Sequence, residues 1–353
     1  MQINELLQAT VDNKASDLHL VVDFPPALRR YGQLEPMPGY APLGEKELEE
    51  LIFPILNADQ KAEFEKNFEL DFSHNVDGLC RFRVNLHWEK RGMGAVMRVI
   101  PSNIPTPEEI DLPPEVIKLT GLKNGLVVVT GPTGTGKSTT LAAMIEKINS
   151  EKNYHILTIE DPIEFVYINK KSIVRQREVG SHTKSFANAL KHALRQDPNV
   201  VLIGEMRDLE TISATLTIAE TGHLAFATLH TSDASQTIDR IVDVFPPHQQ
   251  QQIRTVLAAV LRGVVCQQLI PRADGNGMVV AREVLLCDSA VANMIREGKT
   301  AQIYSVMQTG GAIGMRTMEN EVKRLYQEGH ISAEVALHSV NRPDSLKELL
   351  SQG

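Results

Sequence analysis

Leu126-Val127-Val128-Val129-Thr130-Gly131-Pro132-Thr133-Gly134-Thr135-Gly136-Lys137-Ser138-Thr139 is an apolar run that breaks into a glycine-rich loop and ends on lysine and hydroxyls. The run is short enough for a buried strand, and Ser138 to Ile148 reads as a helix. Gly131 to Ser138 therefore satisfies G-x-x-x-x-G-K-[ST] in the context it requires, a strand before and a helix after. The chemistry follows from the residue types. Glycines let backbone N–H groups close around phosphate oxygens, the helix N-terminus favours an anion, Lys137 neutralises its charge, and Ser138 offers a hard oxygen to magnesium. Gly131, Pro132, Thr133, Gly134, Thr135, Gly136, Lys137, Ser138 and Thr139 are the candidate nucleotide-binding residues.

Downstream, Ile156 to Ile159, Val200 to Ile203 and Leu224 to Leu229 are further short apolar runs. Together with the first they give the strand–helix–strand rhythm of a parallel α/β sheet, whose strands are buried on both faces. Loops after such strands carry function. Val200 to Ile203 runs into Gly204 and Glu205, so Glu205 is the candidate carboxylate to meet magnesium or water. Glu160, Asp161 and Glu164 follow the strand ending at Ile159, where one could polarise an attacking water or where Asp161-Pro162 could simply turn the chain. His223 and His230 bracket Leu224 to Leu229; His230 is the stronger candidate, because Thr228 and Thr231 cluster donors beside it.

Upstream, Pro101, Pro105, Pro107, Pro113 and Pro114 remove backbone donors in quick succession, so residues 99–115 read as a linker. The expected domains are 1–98 and 116–353. Before the linker, Arg81 to Trp88 alternates strictly. Arg81, Arg83, Asn85 and His87 fall on one strand face, and Phe82, Val84, Leu86 and Trp88 on the other. The first set is either a solvated face or a cationic one directed at phosphate. From Gln249 onward the chain reads largely helical, with Ile253, Val256, Leu257, Val260, Leu261, Val264 and Val265 at helical spacings.

Composition narrows the classes. The 353 residues include 42% hydrophobic and 23% charged, the usage of an ordinary globular chain. Cys80, Cys266 and Cys287 are three and widely spaced, which argues against a disulfide frame or a four-cysteine zinc site. No run approaches the roughly 18 apolar residues of a membrane span, and no signal-like N-terminus is present, so a cytoplasmic chain is expected. A net charge of −8 with 5% aromatics leaves little footprint for nucleic acid.

Several stretches carry a resemblance. Ala15-Ser16-Asp17-Leu18-His19-Leu20, the phosphate loop, Thr158 to Glu164, Gly204 to Glu210 and Thr221 to Thr231 resemble, in order and spacing, the secretion ATPases. Within them the likeness is to the type IV pilus retraction motors. It implies a PAS-like α+β domain, a RecA-like P-loop ATPase domain of α/β class with C-terminal helices, and a hexameric ring. It also implies ATP and Mg2+ as ligands, Lys137 on phosphate, and Glu205 with Ser138 toward the metal. Glu164 would be the catalytic carboxylate and His230 part of the histidine box, with Arg81, Arg83 and Arg98 directed at phosphate. The implied partner is an inner-membrane platform protein, with the ring attached peripherally at the pilus base. Ala290-Val291-Ala292-Asn293-Met294-Ile295-Arg296-Glu297 is similar to the C-terminal signature of retraction motors, although Ala292 stands where that signature has arginine. Pilus-extension and type II secretion ATPases share the core, but no four-cysteine site accompanies it here. A DNA translocase and a non-hydrolysing, nucleotide-gated scaffold are the readings from other classes; DNA titration and phosphate release separate them.

Overall fold

The structure is a computed structural model that describes residues 2–30, 32–76, 78–100, 103–275 and 277–351. The chain divides into two compact units, Met1–Asn103 and Ile104–Gly353. Pro101, the first proline of the expected linker, lies outside the described residues.

The smaller, PAS-like unit is α+β. Its strands are β1 (Asp17–Leu20), β2 (Ala27–Arg30), β3 (Gln33–Pro36), β4 (Glu69–Asn75), β5 (Arg81–Glu89) and β6 (Gly92–Ile100). They pair antiparallel in the order β3-β2-β1-β6-β5-β4. Alternation along β5 sends Phe82, Val84 and Leu86 into a core with Leu18, Leu48, Ile52, Phe64 and Met97. Trp88 ends the apolar series at the rim, stacked on Phe64 with ring centroids 5.9 Å apart. β6 runs through Val99 and Ile100, which pair with Phe82 and Arg81, so these two residues, expected in the linker, belong to the strand. Arg83 pairs with Arg98, so Arg81, Arg83 and Arg98 share the sheet face turned away from that core.

The larger unit holds the RecA-like sheet. Its strands are β7 (Gly125–Thr130), β8 (His155–Glu160), β9 (Ile173–Glu178), β10 (Val200–Ile203), β11 (Leu224–Leu229), β12 (Leu261–Pro271) and β13 (Met278–Leu286). Their order is β13-β12-β7-β11-β10-β8-β9, with every neighbouring pair parallel except β12 and β13. Every residue of β7, β10 and β11 is buried, which is why these strands read as unbroken apolar runs. One apolar cluster fills each side of the sheet.

The largely helical reading beyond Gln249 is corrected. The helix Pro247–Val260 keeps Ile253, Val256, Leu257 and Val260, but Leu261, Val264 and Val265 belong to β12. β12 lies between β7 and β13 and is buried on both faces, so its apolar residues lose the period-two pattern that distinguishes a strand. Gly263 marks the change: a Cβ there would lie 3.1 Å from Leu119 and 3.2 Å from the Leu285 carbonyl. After β13 come the helices Ser289–Arg296, Ile303–Thr309, Met318–Gln327, Ala333–His338 and Pro343–Ser351. Val322, Leu325 and Leu346 close a small core with Ile270 of β12 and Ala281 of β13.

Candidate nucleotide site

The parallel order of β8, β10, β11 and β7 gathers four loops at one edge of the sheet. The loop after β7 enters the helix Lys137–Glu151. Gly131 adopts φ 139°, and a Cβ there would stand 2.1 Å from the Gln267 carbonyl oxygen, so only glycine fits. The Thr135 hydroxyl donates to the Pro132 carbonyl at 2.8 Å and fixes the turn. Lys137 Nζ donates to the carbonyls of Gly131 at 2.7 Å and Pro132 at 2.9 Å, which places a buried ammonium in the hollow of its own loop. Burial lowers the Lys137 pKa, and the charges of Glu205 and Glu164 act against that shift. Ser138 and Thr139 remain partly accessible, while Pro132, Thr133 and Gly134 are exposed. Glycines curled around a preplaced cation are a cradle suited to a polyphosphate.

Glu205 follows β10 and is set by its neighbours. Gly204 N–H donates to the Ile159 carbonyl at 2.8 Å, the Thr228 hydroxyl donates to the Gly204 carbonyl, and Met206 N–H donates to the Thr228 carbonyl at 3.0 Å. The two carboxylate oxygens then meet different cations or donors: Oε2 lies 2.6 Å from Arg207 Nε and Oε1 3.1 Å from His230 Nε2. His230 follows β11, and the Thr231 and Thr237 hydroxyls, 2.7 Å apart, tie its loop to the helix Ala234–Asp243.

The three acids after β8 separate into different environments. Glu160 is buried, and burial pushes its carboxyl up to about 7 despite hydrogen bonds from the Thr158 hydroxyl, Gln176 and the Glu164 backbone. Asp161 and Glu164 are exposed. The turn that carries Glu164 is held from β9: Glu178 accepts from Ile163 N–H at 3.0 Å, while Gln176 accepts from Tyr167 N–H at 2.9 Å and donates to Phe165 O at 2.7 Å.

Lys137, Glu164, Glu205 and His230 thus collect around one edge of the larger unit. His223 sits at the other end of β11, its Nδ1 3.1 Å from the Ile218 carbonyl. Arg81, Arg83 and Arg98 belong to the smaller unit, where Arg81 donates to Ser73 Oγ at 2.5 Å and Arg98 Nε lies 2.7 Å from the buried carboxylate of Asp17. Arg207, Gln176, Glu178 and Gln267 were not singled out from sequence. Arg207 lies inside the quoted Gly204 to Glu210 stretch; Gln176 and Glu178 brace a turn 9 to 15 residues before them, and Gln267 acts on a loop more than 120 residues away.

The family model described as Type II/IV secretion system protein matches residues 113–344, which include the phosphate loop, both acidic segments and the histidines. The chain belongs to this family. Among secretion-system relatives, the type IV pilus retraction ATPase PilT of Pseudomonas aeruginosa is 48% identical over 98% of this chain and 100% of its own length. A twitching motility protein of Neisseria gonorrhoeae is 47% identical over 91% of this chain and 86% of its own. The crystal structure of the pilus retraction motor PilT with bound ADP matches with a TM-score of 0.94 at 44% identity, covering 99% of each chain. For a member of the secretion-system family, the glycine cradle and its neighbouring acids are therefore the place to look for nucleotide chemistry.

Proposed function

We propose that this chain is a motor ATPase that hydrolyses ATP to power the retraction of type IV pili, working as a homo-hexameric ring. The observation that carries it is a buried ammonium, Lys137, in a glycine cradle with Glu205 and Glu164 both acting on its charge. Likeness to retraction motors over the whole chain narrows the work from secretion in general to pilus retraction.

The loop amides and Lys137 bind the β and γ phosphates, and the Lys137 charge offsets what develops on the leaving group. Ser138 and Glu205 are hard oxygen donors, so they would hold Mg2+, which supplies charge neutralisation on the phosphates. Glu164 is exposed on a braced turn, where it orients the attacking water and accepts its proton. His230 donates to Glu205 and follows the state of that carboxylate. Arg81, Arg83 and Arg98 supply further cationic charge in the assembled ring. Among the described residues no helix is long and apolar enough to cross a membrane. We place the ring in the cytoplasm, docked on an inner-membrane platform protein at the pilus base, and assign it no nucleic-acid partner.

Two measurements test this. Lys137→Ala should abolish nucleotide binding, whereas Glu164→Gln should keep binding within a few-fold and lower phosphate release by about 100-fold or more. In cells, deletion should leave persistent, excess pili. Near-normal turnover by Lys137→Ala would remove the assigned site, and loss of pili on deletion would make the motor an assembly one.

A further inference from the structure

The phosphate loop does not hold its shape unaided. β12 lies beside β7 with Cys266 level with Thr130, which brings the next residue, Gln267, alongside Gly131. The Gln267 side chain is buried, and both ends of its amide are engaged. Nε2 donates to the Thr135 carbonyl at 2.8 Å, and Oε1 accepts from the Thr140 hydroxyl at 3.0 Å. One side chain therefore joins the loop's last turn to the first turn of the helix that follows it. We propose that Gln267 is a positioning residue for the nucleotide, setting the direction in which the loop presents its amides.

The reason lies in the peptide plane. In a trans peptide the carbonyl of Thr135 and the N–H of Gly136 point in opposite directions. Holding the Thr135 oxygen against β12 turns the Gly136 N–H away from β12, into the space a phosphate needs. The loop's glycines, Gly134 and Gly136 at φ 82°, have little steric preference of their own to keep that direction. An apolar side chain would fill the same volume but offer neither donor nor acceptor. A carboxylate would still accept from Thr140 and would set an acceptor against the Thr135 carbonyl. Glutamine alone serves both partners.

This role rests on the nucleotide reading of the loop, and the experiment separates the two. The full-length chain is titrated with a fluorescent ADP analogue, as wild type, Gln267→Met, Gln267→Glu and Thr140→Val, and apo thermal melting is recorded for each. Gln267→Met is expected to weaken ADP binding about tenfold. Gln267→Glu should weaken it at least as much, and Thr140→Val less than either. If Gln267→Met and Gln267→Glu bind like wild type and only melt earlier, the side chain is packing and the proposal is overturned. Wild-type binding by Gln267→Glu alone would confine its role to Thr140 and also overturn it. Should Gln267→Glu not fold, the ratio of Gln267→Met to wild type decides. Failure of the wild type itself to bind ADP would instead remove the nucleotide reading.

Discussion

Burial pushes the Glu160 carboxyl up to about 7 from a usual 4.5, because desolvation outweighs the three hydrogen bonds that favour its charge. The folded chain then binds a proton that the unfolded chain releases above its ordinary carboxylate range. Stability contributed by this group is fully present below about 4.5 and is lost as pH rises toward about 7. Glu283 is pushed up to about 7 in the same way and adds to the slope. Glu160→Gln removes one of the two, so at pH 8 it should be more stable than wild type by on the order of 2–3 kcal/mol, and near wild type at pH 4.5. Urea midpoints at the two pH values measure this, and an unchanged pH slope would refute it. At this scale the sequence was legible where partners are contiguous: Gly131 to Ser138 announces its own chemistry, and Glu205 stands directly after an apolar strand. Gln267 was not legible, because its partners Thr135 and Thr140 are 132 and 127 positions away and nothing local marks it.

Among the elements, β7, β10 and β11 were readable because each is a short apolar run ending at a loop of recognisable residues, and their bounds in the sheet follow those runs closely. β12 was not. Its apolar content continues that of the preceding helix, and only strand pairing, a long-range property, separates Val260 from Leu261. The consequence reaches the C-terminal helices, since β13 carries Glu283. Its Oε1 accepts from Ala234 N–H at 2.8 Å and its Oε2 from Met318 N–H at 3.3 Å. One buried carboxylate thus receives a donor from the first turn of the helix after His230 and another from the helix Met318–Gln327. Glu283→Ala leaves both N–H groups without that acceptor and a cavity beside them, so it should cost about 3 kcal/mol. Equilibrium urea denaturation at pH 6 checks the value, and a loss under about 1 kcal/mol would mean water replaces the carboxyl group.

For the whole molecule the question is where ATP-driven movement would leave the proposed ring. The segment Ala290 to Glu297 carries no phosphate chemistry, and the structure divides it into two faces. In the helix Ser289–Arg296, Val291 and Ile295 are buried in the core that also takes Leu257 and Ile303, while Asn293, Arg296 and Glu297 are exposed. The three- and four-residue spacing of Val291, Met294 and Ile295 predicts this face, on which Met294 is half-buried, and Asp288 caps the helix by accepting from Val291 N–H at 2.9 Å. What holds the helix is therefore independent of the outward side chains. Gln251 bonds the Arg296 backbone carbonyl at 3.1 Å, a contact that survives truncation of the side chain. Glu297 pairs with Lys299, and Arg296 with Asn293, both on the surface, where such pairs add little to stability. Arg296→Ala combined with Glu297→Ala should accordingly leave folding within about 0.5 kcal/mol of wild type. ATP turnover should stay within about twofold, because neither side chain touches the loops around Lys137. Under the proposed function, retraction in cells should be abolished, since Arg296 and Glu297 are exposed where a partner could meet them. Turnover and ring size measured on the purified double variant, beside retraction imaged in cells, decide the matter. Parallel loss of hydrolysis would make the helix a structural support of the engine, and normal retraction would move the output surface elsewhere.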